Sequence, residues 1–471
     1  MKDASASLPI QAGSSRRDFL RRSASVATGL VLAGPTAMAG AVETPEAATP
    51  GVARGTSEML AERAQDCLQQ VLDVARGPGG LIISHSRFDT RRPLQEGEDL
   101  SPNLSQVLDS VWGPESPKPT PAEWYYGENT NWATGYLLWS QMIRYRVTDE
   151  AEALAIARKC FRDLNHVFDL SGTIEPGLLG KPHGGRAGGT TSFDQSANPI
   201  LHYVAFARDY GTAEEKTQAH RNMLAHGDYY FRRNWVMNHH GNFERIVEPA
   251  HPSAMKYLAC VHAAYDVTGE ARFRDAAIKY VRQITSSGKL PWPARKYDLN
   301  GNLFYYSWLG EYWTKTAAAD AADWVGLMRT YWEVAQKGLD SEGLLLDGIY
   351  DSHDRIFTPT AEGWSEGNPP TAGHKQTSRR WWRSPTGYQG RTGYTLSIAI
   401  LGLLVKKRGL DDRAHEVSRK ILLRIGRDGF RQHWDNGRLP PETQPFVDMF
   451  GSEFPGQWMI AYWLGREQRL W

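Results

Sequence analysis

Asp194 is the only acid in the loop that opens GGTTSFDQSANPILHYVAFARDYG, residues Gly188–Gly211, where polar sequence runs into an apolar segment of helical period. A carboxyl at such a junction can cap the helix or hold a proton for a bond that is being broken. Ser192-x-x-Gln195 has the form of a capping box, with the serine accepting from the Gln195 N–H and the glutamine side chain reaching back. Pro199 argues against a start at Phe193, since two turns in it would remove a hydrogen bond and crowd the preceding turn. Asn198 as cap, with Pro199 in the first helical position, is the expected start. Asp194 then lies in the loop, with a catalytic or substrate-binding role and a purely structural one both open.

Other residues able to do chemistry fall at similar junctions. WYYGENTNW holds Glu128, Asn129 and Asn131 beside Trp124, Tyr126 and Trp132, as a sugar subsite with a stacking floor would need; a polar helix cap at Asn129 or Thr130 is the alternative. Glu248 and His251 precede Pro252, a natural first helical residue, and read as an acid and a base or as a capped loop. Arg379, Arg380, Arg383 and Arg391, with Trp381, Trp382 and Tyr388, could grip a carboxylated sugar bidentately or form a solvated basic loop. FGSEFPGQW adds Glu453. His239 and His240 follow a segment ending near Trp235 and are expected to complement a helix C-terminus.

The elements that must position these groups are almost all helices. Apolar periodicity predicts them at 57–76, 130–147, 150–168, 195–210, 213–233, 252–268, 270–287, 318–337, 391–408, 411–426 and 455–466. Short turns at Val147, Tyr210 and Val267 look like one device used three times, a polar or Gly stop followed by acids that suit a helix N-terminus. Longer loops rich in Gly, Pro, Trp and Tyr follow each pair. Short turn and long loop in alternation describe an all-α ring of helical hairpins, whose inner-helix N-termini converge on one mouth.

In this architecture over about 57–466, and in an Asp at the mouth of an inner helix followed by DQSANPILHYVAFARDYGTAEEKTQAH, the chain resembles the six-hairpin glycosidase-like proteins built on an (α/α)6 barrel. That group includes unsaturated glucuronyl and rhamnogalacturonyl hydrolases. The resemblance implies that Asp194 is the general acid; GYQGRTGY at Gly387 is similar to the family's Arg-Gly mouth loop only in part.

At the other end, Ser15-Arg16-Arg17-Asp18-Phe19-Leu20-Arg21 precedes a short apolar run and small residues at Ala37-Met38-Ala39. Residues 1–40 therefore read as a twin-arginine signal peptide, 41–55 as a flexible leader and 56–471 as one catalytic domain, periplasmic or secreted. With 54 basic and 53 acidic residues the chain has no polyanion-binding field, which disfavours nucleic acid and anionic membrane as partners. No membrane anchor is expected, and oligomeric state stays open. Cys67, Cys160 and Cys260 are widely spaced core candidates without zinc spacing, so neither metal nor cofactor is expected. The 17 Trp and 20 Tyr residues suit a core, and in loops they suit stacking on sugar rings.

The expected function is cleavage of a glycosidic bond in an oligo- or polysaccharide, uronic-acid-containing by the arginine loop. Asp194 would supply the proton, and Glu128, Glu248 or Glu453 would activate water. A polysaccharide lyase is a rival, for which Asn238, His239, Arg295, Tyr305 and Tyr306 have suitable types. A sugar epimerase is disfavoured by export, and a non-catalytic glycan-binding scaffold is the remaining alternative.

Overall fold

The computed structural model describes residues 55–73, 80–87, 92–98, 117–248, 254–287, 302–337, 385–425 and 449–471, with short strands at 349–350, 356–360 and 363–367 and single positions at Gly77, Thr90 and Leu339. Signal, leader and the segments holding His251, Trp381 and Trp382 lie outside the described residues. The chain order is α1 (Thr56–Asp73), β1 (His85–Arg87), α2 (Pro121–Gly127), α3 (Thr130–Thr148), α4 (Ala151–Gly172), α5 (Phe193–Tyr210), α6 (Ala213–Arg232), β2 (Val236–His239), β3 (Asn242–Arg245), α7 (Ala254–Thr268), α8 (Ala271–Ser286), α9 (Asn302–Trp313), α10 (Trp324–Lys337), β4 (Ile349–Tyr350), β5 (Ile356–Thr360), β6 (Gly363–Gly367), α11 (Pro385–Lys407), α12 (Ala414–Arg424), β7 (Met449–Gly451) and α13 (Glu453–Glu467).

Six helices pack in a closed inner ring: α3 on α5, α5 on α7, α7 on α9, α9 on α11, α11 on α13, and α13 back on α3. Each is followed by its outer partner, α4, α6, α8, α10 and α12, while α1 packs against α13 and completes the sixth pair. This is the all-α (α/α)6 toroid expected from the hairpin pattern. Inner and outer helices differ as their burial requires. In α13 every residue from Glu453 to Gly465 is buried, and in α7 every residue from Ala254 to Ala264, so these helices lie inside the core. Outer α8 buries one stripe, Phe273, Ala277, Val281 and Ile284, at the i, i+4, i+8, i+11 spacing of a single helical face. Close approach of the inner ring needs glycine: a Cβ at Gly135 would lie 2.8 Å from Pro199 Cα, and one at Gly456 would lie 2.7 Å from Tyr136 Cβ.

Two of the three short turns share one device. Thr148 and Thr268 accept the backbone N–H of Glu150 and Glu270, across a left-handed Asp149 (φ 57°) and Gly269 (φ 73°). The third differs: Gly211 is extended, and Thr212 forms a reciprocal capping box with Glu215.

Three expectations change. Helix α5 begins at Phe193, with Pro199 inside it, so Asn198 is not the cap. Even with this start the capping-box pattern stays unused, because the Ser192 hydroxyl turns to Asp194 and the Gln195 side chain to other segments. Helix α9 was missed, since NLFYYSWLGEYW is apolar on every side and shows no periodic stripe, and the helix expected from 318 starts at Trp324. The aromatic excess goes largely to the core: Trp124, Trp235, Trp308, Trp313, Trp324, Trp332 and Trp458 are buried. The three cysteines are buried, as expected of core residues.

Candidate active site at the inner-helix mouth

A short ladder draws the starts of α3 and α13 together. Strand β1 pairs antiparallel with β7, His85 facing Gly451, and puts Ser84 between the two helices. The Ser452 N–H donates to Ser84 O at 3.0 Å, the Asn129 N–H donates to Ser84 Oγ, and the Ser84 N–H donates to Tyr126 O at 2.9 Å. One loop residue thereby fixes Asn129 and Glu453 relative to each other, although they are 324 positions apart.

Glu453, the first residue of α13, is 1% exposed. Its Oε1 accepts from Asn129 Nδ2 at 3.2 Å, and its Oε2 is buried without a hydrogen-bond partner among the described residues. Burial is the main cause that pushes this carboxyl up to about 8; its own backbone N–H and the Asn129 hydrogen bond oppose it, and the nearby Asp194 charge adds to it. Asn129 Oδ1 accepts from Gln195 Nε2 at 3.2 Å, and Gln195 Oε1 accepts the Trp132 backbone N–H at 3.2 Å. Tyr136, one turn below Trp132, is fully buried; burial raises its phenol well above the ordinary value, and the Asp194 and Glu453 carboxyls add to the effect.

Asp194 sits in the first turn of α5, half-buried, with Oδ1 accepting from the Ser192 hydroxyl and from the Gln195 N–H at 3.1 Å. It is therefore neither a free loop residue nor a capping-box member, and its electrostatic reach to Glu453 and Tyr136 places all three at one end of the ring.

Beside them lies a buried charged cluster. Lys181 Nζ contacts Glu128 Oε1 and lies 2.8 Å from His240 Nε2, while His183 Nε2 lies 3.0 Å from Glu128 Oε2. Burial opposes ionisation of Glu128, but the Lys181 ammonium, His240 and the His183 hydrogen bond outweigh it and hold the carboxyl well below its ordinary value. Burial lowers His183, and burial together with the Lys181 charge lowers His240 further, so both imidazoles are neutral near pH 7. Glu128 is thus an ion-paired anchor joining α2 to the loop before α5 and to the β2–β3 hairpin. His240 is in that hairpin turn (φ 53°) and not at a helix C-terminus; its neighbour His239 is 3.9 Å from Glu244.

The remaining candidates divide. Asn131 is buried and donates to Gly180 O at 2.9 Å. Trp124 is buried in a stack on His85, centroids 5.4 Å apart, so it forms the wall and not a stacking floor. Trp132 and Tyr126 are half-buried. Glu248 follows β3, is exposed, 59% at its side chain, and pairs with Arg245 at 3.6 Å. The structure does not bring it into the group, since no inner helix carries it. Tyr388 and Arg391 fall in the first turns of α11, where only the backbone is described. Lys181 and His183 were missed by sequence reasoning; the Gly- and Pro-rich loop LLGKPHGGRAGG, which carries both, was the available signal. Among the described residues no group of His, Cys, Asp and Glu could hold a metal, and no helix is long and apolar enough to cross a membrane.

No family model and no curated protein matches the chain. Among solved structures it is similar to a D-mannose isomerase at 11% identity and TM-score 0.42, over 87% of this chain and 98% of that one. It is also similar to the cellobiose 2-epimerase from Spirochaeta thermophila DSM 6192, at 11% identity and TM-score 0.45, over 88% of this chain and 98% of that one. No residue of the site is assigned from either.

Proposed function

We propose that the protein is a carbohydrate-active enzyme that cleaves a glycosidic bond, with Glu453 as the proton donor and Asp194 as the partnering carboxylate. The observation that carries this is the buried Glu453 carboxyl, which keeps its proton to about pH 8 and has one oxygen unpartnered among the described residues, within reach of the field of Asp194. A carboxyl whose burial keeps it protonated, with a second carboxyl at the same site, is the arrangement such chemistry uses. The assignment moves the proton donor from Asp194, where it was expected, to Glu453; Asp194 Oδ1 accepts from the Ser192 hydroxyl and the Gln195 N–H. Half-buried Trp132 and Tyr126 supply apolar faces for a sugar ring, and Asn129 and Gln195 line the approach with amides. Glu453 gives its proton to the leaving oxygen while Asp194 directs water to, or attacks, the anomeric carbon.

The test is mass spectrometry of products from a panel of neutral and uronic-acid oligosaccharides. Fragments that together carry one added water support hydrolysis. Cleavage without added water and with absorbance near 235 nm identifies a β-eliminating lyase, an unchanged mass identifies isomerisation, and binding without products identifies a scaffold; each of these overturns the proposal. Asp194→Asn is expected to lower turnover by about 100-fold with an unchanged melting curve. A rate within about threefold of wild type removes Asp194 from the chemistry.

The same proposal has the enzyme acting outside the cytoplasm, on the strength of SRRDFLR at Ser15–Arg21. Changing Arg16 and Arg17 together to Lys is expected to leave the precursor inside the cell, because the export machinery reads the paired guanidinium groups. Undiminished export of that variant, followed by fractionation and blotting, would overturn it.

A further inference from the structure

Gln195 and Asn129 belong to a chain of hydrogen bonds with only one permitted direction. It starts at the Trp132 backbone N–H, which can donate and cannot accept. Gln195 must therefore turn its Oε1 to Trp132 (3.2 Å), which leaves its Nε2 for Asn129 Oδ1 (3.2 Å). Asn129, with its carbonyl taken, has only its amide nitrogen for Glu453 Oε1 (3.2 Å). Flipping Gln195 would break two of the three bonds, and flipping Asn129 would break its bond to Gln195 and keep the one to Glu453 only if the acidic proton moved to Oε1. The carbonyl oxygen is the stronger acceptor of a carboxylic acid, so the donor from Asn129 Nδ2 favours the carbonyl at Oε1 and the hydroxyl at the other oxygen.

We infer that Gln195 and Asn129 are positioning residues that confine the acidic proton of Glu453 to Oε2, the buried oxygen without a hydrogen-bond partner among the described residues. The use of that proton in bond cleavage rests on the function proposed above; its place on Glu453 does not. In the cleavage step the Oε2–H bond breaks as the proton passes to the glycosidic oxygen. The C–O bond pair goes to that same oxygen, and Glu453 is left as a carboxylate that keeps the Asn129 N–H on Oε1. The relay thus serves the acid before transfer by aiming its proton, and after transfer by stabilising its charge.

Purified full-length protein can be tested without any substrate, through the infrared carbonyl band of protonated Glu453, isolated by subtracting the spectrum of Glu453→Gln. Gln195→Leu frees Asn129 to rotate, and the Glu453 band is expected to move to higher frequency or split as Oε1 loses its fixed donor. Gln195→Glu keeps the size and adds a pH dependence. While the introduced carboxyl is protonated it can still donate to Asn129; once ionised it draws the Asn129 amide nitrogen, turns Asn129 Oδ1 to Glu453 and pulls the proton to Oε1. The Glu453 band of this variant is expected to change with pH across a range where the wild-type band does not. On the sugar identified by the product screen, kcat of Gln195→Leu is expected to fall ~10- to 100-fold with KM within about twofold. Bands of folded Gln195→Leu and Gln195→Glu that superimpose on wild type at every pH overturn the relay. Shifted bands in a protein that cleaves no sugar uphold the relay and remove the proposed function alone.

Discussion

Glu453→Gln is expected to reduce kcat by about 100- to 10,000-fold, the usual loss when a positioned general acid is removed. Gln matches the shape and can still accept from Asn129 Nδ2, so the start of α13 keeps its packing. What it lacks is a proton to give. The pH profile supplies an independent check: wild-type activity is expected to decline as pH rises through about 8, where Glu453 ionises, and the residual activity of the variant should lose that limb. Stability should fall with rising pH as well. The folded Glu453 binds its proton up to about 8 against an ordinary value of 4.5, so between these pH values the native state holds a proton that the unfolded chain has released. That contribution to stability is present in full below pH 4.5 and is lost as pH rises through about 8. Glu453→Gln removes the loss. At pH 9 the variant is therefore expected to be more stable than wild type by a few kcal/mol, taking about 1.4 kcal/mol per pKa unit. Denaturation by urea at pH 5 and pH 9 measures it, and a variant with wild-type turnover and wild-type pH dependence of stability would show that Glu453 is an ordinary ionised carboxylate.

Lys181→Met is expected to destabilise the fold by about 3–5 kcal/mol, because it leaves the Glu128 carboxylate buried with its main counter-charge removed. Methionine fills most of the space of the lysine stem, so the loss reports charge more than volume. The effect should depend on pH in a stated direction. Lys181 helps to hold His183 and His240 below their ordinary 6.5, so in wild type the unfolded chain takes up protons below that pH that the folded one refuses. Wild-type stability therefore falls with acid through these groups. In the variant the imidazoles can protonate beside Glu128 and take over as its counter-charge. The gap between variant and wild type is expected to be widest above pH 7 and to narrow below 6.5. Adding Glu128→Gln should recover much of the loss at pH 7.5, since it removes the stranded charge. A single variant as stable as wild type, or a double variant worse than the single, would show that the ion pair contributes nothing to folding.

The two carboxyls illustrate how much of the site could be read without coordinates. Asp194 and Glu453 both stand where a polar loop meets an apolar helical run, and ring topology alone says that such junctions gather at one mouth. Which of them carries the proton could not be read, because the answer depends on burial. Glu453 is 1% exposed, whereas Asp194 is half-buried.

Sequence by itself determined the ring of hairpins, since helical period and turn chemistry are properties of neighbours in the chain. A run of apolar positions and a Thr-x-Glu turn are enough to place a helix pair such as α7 and α8. Tertiary structure decided everything that joins distant segments. Ser192-x-x-Gln195 spells a capping box locally, yet the Gln195 amide binds Asn129, 66 positions away, a partner that only the packing of α3 on α5 supplies. Pro199 argued for a later helix start, yet the preceding turn is held by Ser192, Asp194 and Ser196, and α5 runs through it. Lys181 and Glu128 are 53 apart and His240 is 112 from Glu128, with nothing in their local patterns to announce a pairing. Periodicity records which face of an element is apolar; it carries no record of which polar groups meet once those faces are buried, and the chemistry of this site is built from such meetings.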